Sequence, residues 1–213
     1  YPERVRGVAA IATTAAASAQ QIALSSVQRS SIVLDPKWRG GDYYDAAPGD
    51  GPHQGLAVAR EAAQISYRTE GVFNERFGRK QLDPLDDRFT LWQRFDVEGY
   101  LDYHGAKLVR RFDANSYLYI TKAMDYFDLA NGAGSLADAF PRNAPRFLVI
   151  SFTSDWLYPS YQSVDIVEAL RSRNHDVAYV ELASNYGHDA FLVDIGEQTE
   201  VVRGFLANTY ARL

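Results

Sequence analysis

Cysteine is absent from this 213-residue chain and methionine occurs once. That excludes disulfides, thiolate metal sites and cysteine nucleophiles, and it fits the reducing cytoplasm, which is the expected location. Positive charge is not in excess, with 22 Lys and Arg against 27 Asp and Glu and a net charge of −5. No nucleic-acid partner is expected, because phosphate binding needs clustered Lys and Arg. Apolar runs of the roughly 18–20 residues that cross a bilayer are missing, so no membrane partner is expected either. Nor does any stretch show the pattern of a signal peptide.

What remains is ordinary for a globular protein: 46% hydrophobic and 23% charged residues, in a chain long enough to bury one substantial core. The chain opens at Tyr1, and Tyr1-Pro-Glu-Arg-Val5 runs directly into the apolar stretch Gly7–Ala12. A strand already under way is expected there, with the chain beginning inside a domain; a short complete protein that has lost its Met is the alternative. Residues 1–14 are expected to end one part of a parallel-sheet core. Residues 15–143 read as helical, and residues 144–213 as β-α-β-α.

Within the helical zone, Ile22, Leu24 and Val27 suggest the buried stripe of a helix reaching Ile32, stopped by Asp35-Pro36. Residues 38–52 read as a long loop and Gly55–Tyr67 as a helix. Phe73 and Phe77 stand one turn apart on a short helix. Trp92, Phe95, Tyr100, Leu101, Leu108 and Val109 suggest one or two more. Asp113 is the expected N-cap of a helix presenting Tyr117, Ile120, Met124 and Phe127. In the last zone, Phe147–Phe152 is a continuous apolar run, hence a buried parallel strand, and Val177–Leu182 is a second. Between them lies a helix, Tyr161–Ser172, with Val164, Val167 and Leu170 inward. A closing helix, Ile195–Ala211, carries Val201, Val202, Phe205 and Leu206.

The chemistry concentrates at two strand exits. Asp155 stands three residues past the first strand and His188 six past the second. In open α/β sheets, active groups lie beyond the carboxyl ends of the strands. A histidine supplies a proton acceptor of suitable strength, and a carboxylate orients it. The order Asp then His matches the α/β-hydrolase order Ser, Asp, His. Yet no Gly-x-Ser-x-Gly turn, the usual seat of the serine, occurs in the 213 residues. Read blandly, Asp155 caps the following helix and His188 is a solvated loop residue. The first should then sit nearer Ser160, and the second is flanked by Gly187 and by the apolar Phe191-Leu-Val.

Other candidates are weaker. His53, His104 and His175 lack companions at metal-ligand spacing, so no metal site is expected. Gly132-Ala-Gly-Ser-Leu-Ala137 imitates a dinucleotide fingerprint but follows a helical stretch and reads as a loop. Arg60 and Tyr67 are two helical turns apart and would share a face. A guanidinium there could hold a carboxylate in a bidentate grip; equally, Arg60 could be a surface residue paired with Glu61 or Glu70.

Several phrases together resemble the homoserine O-acetyltransferases, α/β-hydrolase-fold acyltransferases of methionine biosynthesis. They are Tyr1-Pro-Glu-Arg-Val5, Val27-Gln-Arg29, Asp35-Pro-Lys-Trp-Arg-Gly-Gly41, Gly55-Leu-Ala-Val-Ala-Arg60, Phe77-Gly-Arg79 and Glu98-Gly-Tyr-Leu101. Arg111-Phe-Asp-Ala-Asn-Ser-Tyr-Leu118, Ser154-Asp-Trp-Leu-Tyr158 and Tyr186-Gly-His-Asp189 complete the set. The resemblance implies a ping-pong reaction in which a serine takes an acyl group from acetyl-CoA or succinyl-CoA and passes it to L-homoserine, with no cofactor beyond that co-substrate. It implies that Asp155 is the triad acid and His188 the base, that Arg60 holds the homoserine carboxylate, and that Tyr67 and Asp189 lie beside the amino-acid substrate. The helical zone resembles the family's lid, which forms a homodimer interface.

The serine and its backbone oxyanion donors would then lie upstream of Tyr1, in an N-terminal portion acting as partner to this one. The 213 residues alone are expected to be inactive and to fold poorly. Two other readings stay open: an esterase of the same fold, distinguished by the absence of an acceptor clamp such as Arg60, and a non-catalytic α/β binding module.

Overall fold

The computed structural model describes residues 4–82 and 94–212. Tyr1–Glu3 of the lead-in and Trp92 lie outside the described residues. Among the described residues, three strands and eight α-helices follow in chain order: β1 (Gly7–Ile11), α1 (Ala19–Val33), α2 (His53–Ser66), α3 (Glu70–Arg76), α4 (Asp96–Val109), α5 (Ala114–Tyr126), β2 (Arg146–Phe152), α6 (Ser160–Ser172), β3 (Val177–Leu182), α7 (Ala190–Val193) and α8 (Ile195–Tyr210). They pack as two compact units. One holds residues 1–17, 67–69 and 126–213; the other holds residues 18–66 and 70–125.

The first unit is built on a parallel sheet of order β1-β2-β3, with Ala9 opposite Leu148 and Leu148 opposite Ala178. The β2 strand is apolar on both faces because both are covered. Leu148, Ile150 and Phe152 point one way and pack with Leu182, Ala190 and Phe205. Val149 points the other way, onto Ile166, Val167 and Leu170 of α6. Alternation of side chains along a strand thus serves two helical layers from one run of residues. The expected stripes need two amendments: Ile166 is part of the α6 face, and Leu206 of α8 is 58% exposed. Residues 126–143 group with this unit: Leu129 donates its amide to the Ala15 carbonyl, and Phe140 meets Phe147 edge-on.

The helical unit begins with a capping box, Ser18 and Gln21 exchanging side-chain and backbone bonds at the start of α1. Its buried stripe differs from the expected one. Gln21, Gln28 and Ile32 face inward, whereas Ile22 and Val27 are exposed. The reason is hydrogen bonding: the Gln28 side chain accepts from the Tyr117 hydroxyl at 2.7 Å, which makes its burial tolerable. Likewise Asp113 caps α5 as expected, accepting from the Ser116 amide at 2.7 Å. Ile120, Met124 and Phe127, however, face outward, and Ala114 is the buried residue of that helix.

Helices α1 and α2 approach very closely at Gly55. A Cβ there would stand 2.5 Å from the Ser31 carbonyl oxygen and 2.7 Å from the Ile32 Cα. Asp35 accepts the Gly55 amide at 2.8 Å and the Ser31 hydroxyl donates to the Gly55 carbonyl at 2.9 Å, locking the crossing. His53 opens α2. The helix ends at Ser66, so Tyr67 is not on its face with Arg60. Residues 67–69 leave the helical unit and pack with the sheet unit.

Candidate active site

The chain turns sharply where β2 ends, the Asp155 amide donating to the Phe152 carbonyl at 3.1 Å. The Asp155 side chain is fully buried. One carboxylate oxygen accepts from the Leu157 and Tyr158 amides at 3.0 and 2.8 Å, and the other meets His188 Nδ1 at 2.8 Å. Three donors therefore satisfy a carboxylate taken out of water, as burial of a charge requires.

His188 sits in the short 3-10 turn Gly187–Asp189 beyond β3. The exits of β2 and β3 are tied together. The Thr153 hydroxyl donates to the Ser184 carbonyl and accepts from the Ser184 amide, both at 3.2 Å, while the Gly187 amide donates to the Ser154 hydroxyl at 2.9 Å. Gly187 has φ +69°, and a Cβ there would lie 3.0 Å from the Tyr67 carbonyl oxygen, so the turn needs glycine on two counts. The imidazole lies among Tyr158, Phe191 and Tyr67, with ring centroids 4.8, 5.3 and 6.0 Å away. A carboxylate only accepts, so Nδ1 carries the proton toward Asp155 and Nε2 is left to exchange one. Burial, reinforced by Tyr67 and Asp155, raises the Tyr158 phenol above its usual range and keeps it neutral.

Asp189 is engaged by its own neighbours. Its amide donates to the Tyr67 carbonyl at 2.9 Å, and its carboxylate accepts from Arg68 Nε at 3.1 Å. Arg60 lies half-buried on α2 in the helical unit. The structure thus assembles Asp155, His188, Tyr67 and Asp189 within the sheet unit. Sequence reasoning passed over Tyr158, Ser154 and Arg68 as site residues. Tyr158 and Ser154 lay within the Ser154–Tyr158 phrase, where an aromatic three residues past a carboxylate was a usable signal. Arg68 had none beyond standing next to Tyr67. Among the described residues, no group of three or more His, Asp or Glu could hold a metal ion.

Parallel strands with helices on both faces, and an Asp–His pair at their carboxyl ends, define an α/β-hydrolase fold. Solved structures agree. A homoserine O-acetyltransferase from Bacillus anthracis superposes with TM-score 0.81 at 24% identity, over 92% of this chain and 51% of that one. Esterase E22 superposes with TM-score 0.82 at 23% identity, over 97% and 55%. By sequence, the chain is similar to homoserine O-acetyltransferases: it is 47% identical over 210 residues to that of Methanohalobium evestigatum, covering 99% of this chain and 42% of that protein. The chain spans about half the length of the curated relatives it matches. No family model matches it. None of the helices, among the described residues, is long and apolar enough to cross a membrane.

Proposed function

We propose that this chain supplies the proton-transfer half of an acyltransferase that moves an acetyl or succinyl group from its CoA ester to the hydroxyl of L-homoserine, a step toward methionine made in the cytoplasm. The carrying observation is the 2.8 Å bond between His188 Nδ1 and the buried Asp155. Nε2 takes the proton of a nucleophilic serine as it attacks the thioester, and returns it to the departing CoA thiolate. In the second half-reaction it takes the homoserine hydroxyl proton and returns it to the serine. The serine and its oxyanion donors come from a segment outside these 213 residues, and no cofactor beyond the acyl-CoA takes part.

In this reading Arg60 holds the homoserine carboxylate, Tyr67 lines the substrate's side of the imidazole, and Asp189 lies next to the acceptor. The Tyr67 ring beside His188 supports its role. Two copies associate through the helical unit, which carries exposed Val27, Tyr119, Ile120 and Met124 on α1 and α5.

The test is stepwise kinetics on the intact protein with acetyl-CoA and succinyl-CoA, following CoA release with and without homoserine. His188→Ala should abolish acyl-enzyme formation. Arg60→Ala should raise the homoserine KM and leave acyl-enzyme formation nearly intact. CoA release that ignores homoserine and yields only the free acid would replace this reading with a hydrolase.

A further inference from the structure

Residues 67–69 interrupt the helical unit in sequence, yet they bond to the loops carrying the Asp155–His188 pair. The Tyr67 carbonyl accepts the Asp189 amide at 2.9 Å. Arg68 Nε donates to the Asp189 carboxylate at 3.1 Å, with both side chains more than four-fifths buried. The Arg68 carbonyl accepts Trp156 Nε1 at 2.9 Å, from the turn that holds Asp155. The Thr69 hydroxyl donates to the Asn185 carbonyl at 2.7 Å. Gly187 has no room for a side chain because the backbone of Tyr67 and Arg68 lies 3.0–3.1 Å from where its Cβ would be.

We propose that Tyr67-Arg68-Thr69 is a positioning strap that sets the orientation of His188, with Arg68 acting through Asp189 and Thr69 acting through Asn185. His188 lies between Asn185 and Asp189, the two residues that the strap grips in the loop beyond β3, so its backbone is held on both sides. Asp155 is braced from the same strap through Trp156. Arg68 touches no reacting atom in this scheme. It fixes an imidazole whose Nε2 must meet a hydroxyl within a few tenths of an ångström, and misplacement of about 1 Å lowers a rate by roughly a hundredfold. The scheme also assigns the Asp189 carboxylate to the turn, not to the substrate. It rests on the reading of His188 as the proton-transfer residue.

The test is acyl-enzyme formation and transfer kinetics in the intact protein carrying Arg68→Met, Arg68→Lys, Asp189→Asn and Thr69→Val, with His188→Ala alongside. Arg68→Met should lower kcat in both half-reactions by roughly tenfold to a hundredfold with the homoserine KM unchanged. Arg68→Lys should recover part of the loss, and Arg68→Met with Asp189→Asn should be no slower than the worse single variant. The downfield Nδ1 proton resonance of His188 should broaden in Arg68→Met. An unchanged kcat, a change confined to the homoserine KM, or additive losses in the double variant would overturn the strap. Should Arg68→Met fail to fold, Thr69→Val decides: a lowered kcat with KM unchanged supports the strap, and wild-type kinetics overturn it. Activity surviving in His188→Ala would instead remove the reading on which the strap depends.

Discussion

Replacing Asp155 by Asn changes one atom and tests the central pair without disturbing the fold. The side chain has no exposed surface, so volume matters, and Asn preserves it. The amide oxygen can keep the Leu157 and Tyr158 amides, at 3.0 and 2.8 Å in the native protein. The amide nitrogen then faces His188 Nδ1, where the carboxylate oxygen stood at 2.8 Å. Two donors cannot share that position, so the imidazole shifts its proton to Nε2 and loses the lone pair it needs as a base. In the worked case of a catalytic triad this wrong tautomer lowers kcat by about 10⁴, equivalent to roughly 5.5 kcal/mol of barrier. Asp155→Ala should behave differently. It leaves two partly buried amides without their acceptor, at up to about 1–3 kcal/mol each, and stability should fall together with activity. On the proposed function, the assay is pre-steady-state CoA release by the intact protein at saturating acyl-CoA, paired with urea unfolding of the same samples. Asp155→Asn that forms acyl-enzyme within tenfold of the native rate would refute the orientation argument.

Two further outcomes follow from the helical unit. Gly55→Ala forces a methyl group against backbone atoms of α1 at 2.5 and 2.7 Å, so the helices must separate; the urea midpoint should drop by the equivalent of about 1–3 kcal/mol, and an unchanged midpoint would contradict the tight crossing. Tyr43 donates to Asp113, and burial together with that bond raises the Tyr43 phenol well above its ordinary value near 10. Its contribution is present below about pH 10 and is lost as pH rises toward the higher folded value. Asp113 is the reverse: burial opposes its ionisation, but donors from Tyr43, Ser116 and Tyr44 outweigh it and lower its pKa. Its contribution is present above about pH 4 and is lost as pH falls through the lowered value. Tyr43→Phe should therefore flatten the alkaline decline of the melting temperature, and an unaltered alkaline slope would count against it.

How much of this was legible in the sequence depended on the range of the forces involved. Phe147–Phe152 is apolar except at Ser151 and Val177–Leu182 except at Glu181, and a mostly apolar run of strand length requires nothing more distant than itself to be recognised. Their ends located Asp155 and His188. The faces of α1 and α5 were not legible in that way. Gln28 is buried and Val27 exposed because a tyrosine 89 residues away satisfies the glutamine, which no local periodicity contains. The same holds for Tyr67-Arg68-Thr69, of which Tyr67 was expected to close α2. Only tertiary structure carried those three residues off the helix and onto the histidine turn, where Gly187 leaves just enough room for their backbone. Local hydrophobic order thus determined where the Asp155–His188 pair stands in the chain. Hydrogen bonds closed between distant segments decided what surrounds it, because their partners are chosen by packing and not by neighbourhood in sequence.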